Sequence, residues 1–360
     1  MSMKHSLVIG GTGPTGPYLV NGLLQRGHQV TILHRGAHEV DFAGPVEHIH
    51  GDPHFPETLH QALGNRNFDL MIATYGRLRH VVEVAKWRTP RLIAIGGLPY
   101  RAFVEGEKDP DGVPVPLPET APLYTDESGN RFTYLMMLSE KAVMEAHRKG
   151  HYSATLFRFP LVFGPRQLAP PEWSLIRRIL DGRKQLIIPD GGWRLERRGY
   201  AENMAHAVLL AVDNPQKSAG RIYNVADETI LPIRDWITLI ARTMKHQWEF
   251  INMPFSLARP SRPYAGRAHN RVLDIRKVQT ELGYRDIVSE PESIRRTVEW
   301  YLVNRPEPGG EVERQLGDPF DYETEDRLIQ EYTKATGQLR DIGEVKFKWR
   351  HAYDHPEKPS

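Results

Sequence analysis

Ile9-Gly10-Gly11-Thr12-Gly13-Pro14-Thr15-Gly16 joins an apolar run, Leu7-Val8-Ile9, to a helical stretch at residues 18–26. Gly10, Gly13 and Gly16 are spaced as G-x-x-G-x-x-G. Glycine at such places lets the chain turn sharply, approach a pyrophosphate closely and pack the helix on the strand. The start of the helix then offers free N–H groups and the positive end of its dipole to an anion. A glycine pattern alone is weak, because glycine turns are common. Its place between a strand and a helix makes the dinucleotide reading specific. Gly10, Gly13, Pro14, Thr15 and Gly16 are therefore the expected cofactor-binding residues of this turn.

Outward from the turn, short apolar strands alternate with helical stretches. Residues 29–33, 46–50, 70–73 and 92–95 read as strands, and 56–63 and 77–86 as helices between them. This alternation predicts an α/β fold, a doubly wound parallel sheet of the Rossmann type. Ala73, ending the fourth strand, should border the cofactor at the sheet's carboxyl edge. Residues 100–130 hold Pro110, Pro114, Pro116, Pro118 and Pro122, which predicts a loop over that edge. A helix over 132–149, stopped by Gly150, leads to another buried strand at 154–159. Beyond Gly164 the chain turns polar, with Trp173, Trp193, Trp236 and Trp248 and scattered arginines. The expected organisation is a cofactor domain over 1–165, to which 195–225 returns, and a smaller substrate domain from 166–194 and 226–305. Residues 306–360 look appended, with one helix at 322–335.

The bulk numbers restrict the partners. Of 360 residues 40% are hydrophobic and 26% charged, as in ordinary globular proteins. The formal net charge of +2 gives no global attraction to nucleic acid or membrane. Cysteine is absent, which excludes disulfides, thiolate metal sites and a cysteine nucleophile. No apolar run approaches the roughly 20 residues that span a bilayer. No secretory leader is legible before the first strand, so a cytoplasmic location is expected. His48, His50 and His54 lack a convincing metal-ligand spacing, and no metal is expected.

The second strand ends at Leu33-His34-Arg35-Gly36. NAD-binding halves place an acid there, about 20 residues after the glycines, to hold the ribose 2′-OH. Here His34 and Arg35 stand instead, and a cation suits the added 2′-phosphate of NADP(H). Asp52 follows the third strand, either contacting the adenine amine or capping the helix after Pro53.

Together these pieces resemble the extended short-chain dehydrogenase/reductases, the NAD(P)-dependent epimerase/dehydratase group, over about residues 4–305. Besides the glycine turn and Gly51-Asp52, the resemblance rests on Phe157-Arg158-Phe159-Pro160-Leu161-Val162-Phe163-Gly164-Pro165 and Arg221-Ile222-Tyr223-Asn224-Val225. Leu273-Asp274-Ile275, Glu281-Leu282-Gly283-Tyr284 and Thr297-Val298-Glu299-Trp300 complete it. The resemblance implies a tyrosine four residues before a lysine on one helix, with a Ser or Thr on the preceding strand. Aligned through Lys141 and Glu145, the tyrosine position holds Met137, and Gly96-Gly97 stands where the hydroxyl residue belongs. A thioether cannot donate a proton. Lys141 is retained, and Tyr75 and Tyr100 are the candidate replacement donors. Tyr134 lies two turns from Lys141, ~10 Å against ~6 Å for an i, i+4 pair, and is expected to pack.

By the same resemblance Arg166, Trp193 and Arg197 fall in the walls of a pocket for a small-molecule substrate, and a homodimer forms through helices 77–86 and 132–149. The expected function is an NADP(H)-dependent oxidoreductase or epimerase/dehydratase-like enzyme with altered acid–base groups. The alternative is an inactive cofactor-binding member serving as a sensor, scaffold or RNA-binding protein.

Overall fold

The structure, a computed structural model, describes residues 3–36, 39–74, 77–104, 112, 114–342, 349 and 352–353. β1 (His5–Ile9) runs through the glycine turn into α1 (Gly16–Gln25) and back along β2 (Gln29–His34). β3 (Val46–His50), α2 (Pro56–Leu63), β4 (Leu70–Thr74), α3 (Leu78–Ala85) and β5 (Arg91–Gly96) repeat the unit. After the proline-rich loop come α4 (Arg131–Arg148) and β6 (Ser153–Arg158). Asn130 starts α4 by accepting the Thr133 N–H on its side chain, a favourable N-cap.

The chain continues through β7 (Val162–Phe163), α5 (Pro171–Leu180), β8 (Gln185–Pro189), β9 (Leu195–Glu196) and β10 (Gly199–Tyr200). α6 (Ala201–Asp213), α7 (Pro215–Ser218) and β11 (Arg221–Asn224) then return to the large sheet. That sheet has seven parallel strands in the order β3-β2-β1-β4-β5-β6-β11. The order reverses between β1 and β4, and a crevice at such a switch point is where open α/β sheets bind ligands.

Both faces are covered, which explains the unbroken apolar runs of the central strands. On one face Leu19, Val20 and Leu23 of α1 join Met204, Ala205 and Val208 of α6 against Val8, Ile72 and Ile93. On the other, Leu59 and Leu63 of α2, Val81 of α3 and Val143 of α4 cover Leu7, Ile9 and Leu92. Val81 and Val82, expected at a dimer contact, are thus spent within the chain's own core.

The last third adds β12 (Leu231–Pro232), α8 (Ile233–Thr243), β13 (Glu249–Met253), α9 (Arg262–Ala265), α10 (Arg276–Leu282), α11 (Glu290–Val303) and α12 (Glu311–Leu316). β8 pairs with β13 and β9 with β12, outside the large sheet. Residues 306–319 are not appended. The compact body runs to Pro319, and Phe320–Ser360, with α13 (Tyr322–Ile342), forms a separate unit. Two acids explain the difference. Asp318 accepts from the fully buried Arg178 guanidinium, and Glu313 accepts from the Trp173 indole at 2.9 Å and from Arg177 at 2.8 Å. A buried cation requires such partners, and sequence spacing alone does not pair residues so far apart. Among the described residues no helix is long and apolar enough to cross a membrane.

Candidate functional site

The glycine turn lies at the switch point. Gly10 and Gly11 have φ of 106° and 95°, a region side chains avoid, and the Gly10 N–H donates to the Leu33 carbonyl at 2.8 Å. A β-carbon on Gly10 would collide with Thr74 Oγ1, and one on Gly16 with the Gly11 carbonyl. Gly13 is different: its α-carbon faces open space with no atom within 4 Å. Packing therefore demands glycine at 10 and 16, whereas nothing in the chain's own packing demands it at 13. α1 begins after Thr15 without a side-chain cap and without an acid in its first turn, next to Pro14. That end can accept an anion. Ala73 is buried opposite Ile9 in the register, at the edge of this cradle. The arrangement fits a pyrophosphate-bearing dinucleotide.

At the end of β2, His34 is buried while Arg35 is exposed. Asp52 does not cap α2, which starts at Pro56. It accepts instead from the His54 N–H at 2.9 Å and the His54 ring at 2.6 Å, contacts that hold its carboxyl below the usual range. His34, Glu39 and His48 bring potential metal-ligand atoms within 4.8 Å of one another, a convergence their sequence spacing conceals. The Gly36 N–H donates to His34 Nδ1, however, so the neutral ring carries its proton on Nε2, towards His48. A metal-ligating nitrogen must be bare, so this tautomer does not suit a metal.

The expected catalytic station is built differently from the sequence alignment. Gly97 is packed by Met136, whose sulfur a β-carbon at 97 would strike. One turn on, Glu140 is buried and accepts both Nε and Nη2 of Arg158, at 2.8 and 2.6 Å. Arg158 stands opposite Gly96 in the register and also donates to the Glu119 carbonyl and the Tyr100 hydroxyl. Tyr100 in turn donates to Asn224 Oδ1 at 2.5 Å. Burial pushes this phenol up to about 12.

Tyr100, a candidate for donating a proton or lining the pocket, is closed off from solvent. It is fully buried, and its hydroxyl is held from two sides. Tyr75 lies outside the described residues, and Tyr134 is half-buried on α4. Lys141, adjacent to Glu140, is exposed and makes no ion pair among the described residues. Sequence reasoning missed the Glu140–Arg158 pair. The one available signal was an arginine inside the buried strand 154–159.

A cavity of about 330 Å³ opens in the second half of the chain, lined by Trp193, Arg194, Arg267, His269, Asn270 and Asp190 among others. Trp193 lines it and is 65% exposed. Glu196, which accepts from Arg194 of this wall, is buried. Burial opposes its charge, but Arg198 and Arg194 outweigh burial and keep the carboxyl ionised. Of the other expected wall residues, Arg197 is used structurally, donating to the Leu273 and Glu228 carbonyls. Arg166 is exposed with φ of 64° and does not line the cavity. Arg194 and Arg267 lay in arginine runs legible in the sequence. His269 and Asn270 carried no signal.

A glycine turn at the switch point of a seven-stranded parallel sheet, with a polar cavity built from the later segments, is a Rossmann-like fold with the architecture of the extended short-chain dehydrogenase/reductases. Residues 110–226 match the NAD dependent epimerase/dehydratase family. It is similar to the chloroplast stem-loop binding protein of 41 kDa b of Arabidopsis thaliana, 24% identical over 245 residues, 63% of this chain and 60% of that protein. The UDP-glucose 4-epimerase of Thermotoga maritima, solved with UDP-glucose, superposes with a TM-score of 0.67 at 18% identity, covering 84% of this chain and 100% of the other. The UDP-glucuronic acid 4-epimerase of Bacillus cereus in complex with NAD gives 0.64 at 16% identity, covering 84% and 100%. At these identities the likeness to the solved structures is one of fold.

Proposed function

We propose that the chain is an NADP(H)-dependent oxidoreductase or epimerase/dehydratase-like enzyme for a small-molecule substrate, working without the family's usual tyrosine. The observation that carries this reading is the open α-carbon of Gly13 between an uncapped helix start and the sheet's switch point. The cofactor, when bound, would supply hydride chemistry; the protein supplies orientation and proton handling. Arg35, exposed where an acid would hold a free 2′-OH, supports NADP(H) over NAD(H). NADPH is expected to bind at least tenfold more tightly than NADH, ~1.4 kcal/mol, with the margin lost in Arg35→Ala. Calorimetry at pH 8 measures both. Equal affinities in the wild type sink the NADP(H) reading.

In the second half, Trp193 with Arg194 and Arg267 supports an anionic substrate carrying a flat or apolar face. Lys141, unpaired among the described residues, is assigned to the nicotinamide ribose. Substrate-dependent loss of NADPH absorbance tests the enzyme reading. Lys141→Ala should weaken cofactor binding and turnover together, whereas Met137→Ala should leave turnover within about tenfold, against roughly 10²–10⁴ for a lost general acid. A larger loss from Met137→Ala contradicts the assignment.

One observation favours the second reading: Met136 and the Glu140–Arg158 pair occupy the region where a working phenol would be expected. A cofactor-binding member without turnover would instead show ligand binding alone. In its RNA-binding form it would retain RNA with a steep salt dependence.

A further inference from the structure

His34, His48 and His50 gather at the carboxyl ends of β2 and β3, where the register sets His34 opposite His50. The His34 ring stands edge-on to both others, with centroids 5.1 Å from His48 and 5.0 Å from His50. His34 is the fixed member. The Gly36 N–H donates to its Nδ1 at 3.2 Å, its Nε2 lies 3.1 Å from His48 Nδ1, and burial pulls its basicity below the usual imidazole range. His50 is the open member. Its ring is exposed and makes no hydrogen bond among the described residues. It turns towards the segment that follows β2: a β-carbon on Gly36 would stand 3.5 Å from His50 Nε2. Arg35, the residue before Gly36, is exposed as well.

We infer that His50 is a proton-dependent second cation for the 2′-phosphate of the cofactor, acting beside Arg35. This rests on the NADP(H) reading above. Imidazole is the side chain whose charge changes between pH 5 and 8, and a phosphate dianion favours its protonated form. The surrounding charges leave that role to His50. Glu39 faces His48, 3.4 Å from its Nδ1. Asp52, just past β3, is already taken by the His54 N–H and ring. His34, whose basicity burial lowers, is the wall on which the other two rings rest. A phosphate dianion beside the ring favours the imidazolium form, so NADPH tightens as pH falls. NADH, without the phosphate, does not. Below about pH 6 the phosphate takes up its own second proton and the gain ends.

The test is titration of the full chain with NADPH and with NADH at pH 8.5 and 6.5, for wild type, His50→Gln and His48→Gln. The NADPH preference should grow about three- to tenfold towards pH 6.5 in the wild type, the size of one added charge-assisted contact. It should stay flat in His50→Gln and keep most of its slope in His48→Gln. Unchanged NADH affinity in His50→Gln shows that the exposed substitution leaves the fold intact. A wild-type preference that is present but flat with pH overturns the role of His50 and leaves Arg35 standing. A slope that survives in His50→Gln overturns it too, as does one lost only in His48→Gln. Absence of any preference at either pH overturns both this inference and the NADP(H) reading.

Discussion

Glu140→Ala is expected to lower the unfolding free energy by about 3–5 kcal/mol, because it strands the Arg158 guanidinium in the interior. Both partners are almost wholly buried, at 3% exposure for the Arg158 side chain and 9% for Glu140. Their two contacts form a bidentate fork, the stronger geometry for this pair. Arg158 would keep the Tyr100 hydroxyl and the Glu119 carbonyl, neither of which carries a compensating charge. Two controls separate charge from packing. Tyr100→Phe removes two hydrogen bonds, one to Asn224 and one from Arg158, and leaves the ion pair, so a loss of about 1–3 kcal/mol is expected. Replacing both charges, Glu140→Leu with Arg158→Met, should recover most of the single-mutant loss, since an apolar pair of similar volume is often neutral. Urea denaturation with unchanged m-value reads all three. A loss under about 1 kcal/mol for Glu140→Ala would show that water reaches the pair.

The second large effect separates two glycines of the same turn. Gly13→Ala should leave the protein as stable as before, or raise stability by about 0.4–1 kcal/mol, because the residue lacks a positive φ and its side-chain direction is empty. The same methyl group enters the space where the cofactor's pyrophosphate must approach, so NADPH affinity should fall at least about 30-fold, ~2 kcal/mol. Gly16→Ala should behave in the opposite order. Its β-carbon meets the Gly11 carbonyl, backbone that cannot swing away, so the fold itself loses stability. Thermal melts and NADPH titrations on both variants measure the contrast. Full NADPH affinity in a stable Gly13→Ala protein would remove the pyrophosphate from this turn, and the proposed function would lose its carrying observation.

Local physics made much of the fold legible. Strand β3 falls on the residues that alternation predicts, and the other predicted strands differ by a residue or two at their ends, where fraying and register decide. The glycine turn was legible from its spacing between a strand and a helix, although the atom that a β-carbon on Gly10 would strike, Thr74 Oγ1, comes from β4. The absent acid after β2 is likewise a local fact, read directly from His34-Arg35. The candidate catalytic station was not legible, because successive residues on a helix point about 100° apart. One residue of rotation decides whether Met136 or Met137 meets Gly97, and whether Glu140 or Lys141 turns inward, and only packing of α4 on the sheet sets it. Arg158 resolved the choice, since a guanidinium buried at the end of β6 requires a carboxylate across from it. Tyr100, the 306–319 segment and the histidine cluster follow the same logic. Each depends on partners far away in the chain, Asn224, Arg178 and the His34–His50 register, which no local pattern encodes. The sequence by itself determined the sheet and the glycine turn at its switch point. The tertiary structure alone decided which side chains were buried and paired, because the cost of an unpaired buried charge is settled by whatever the fold brings beside it.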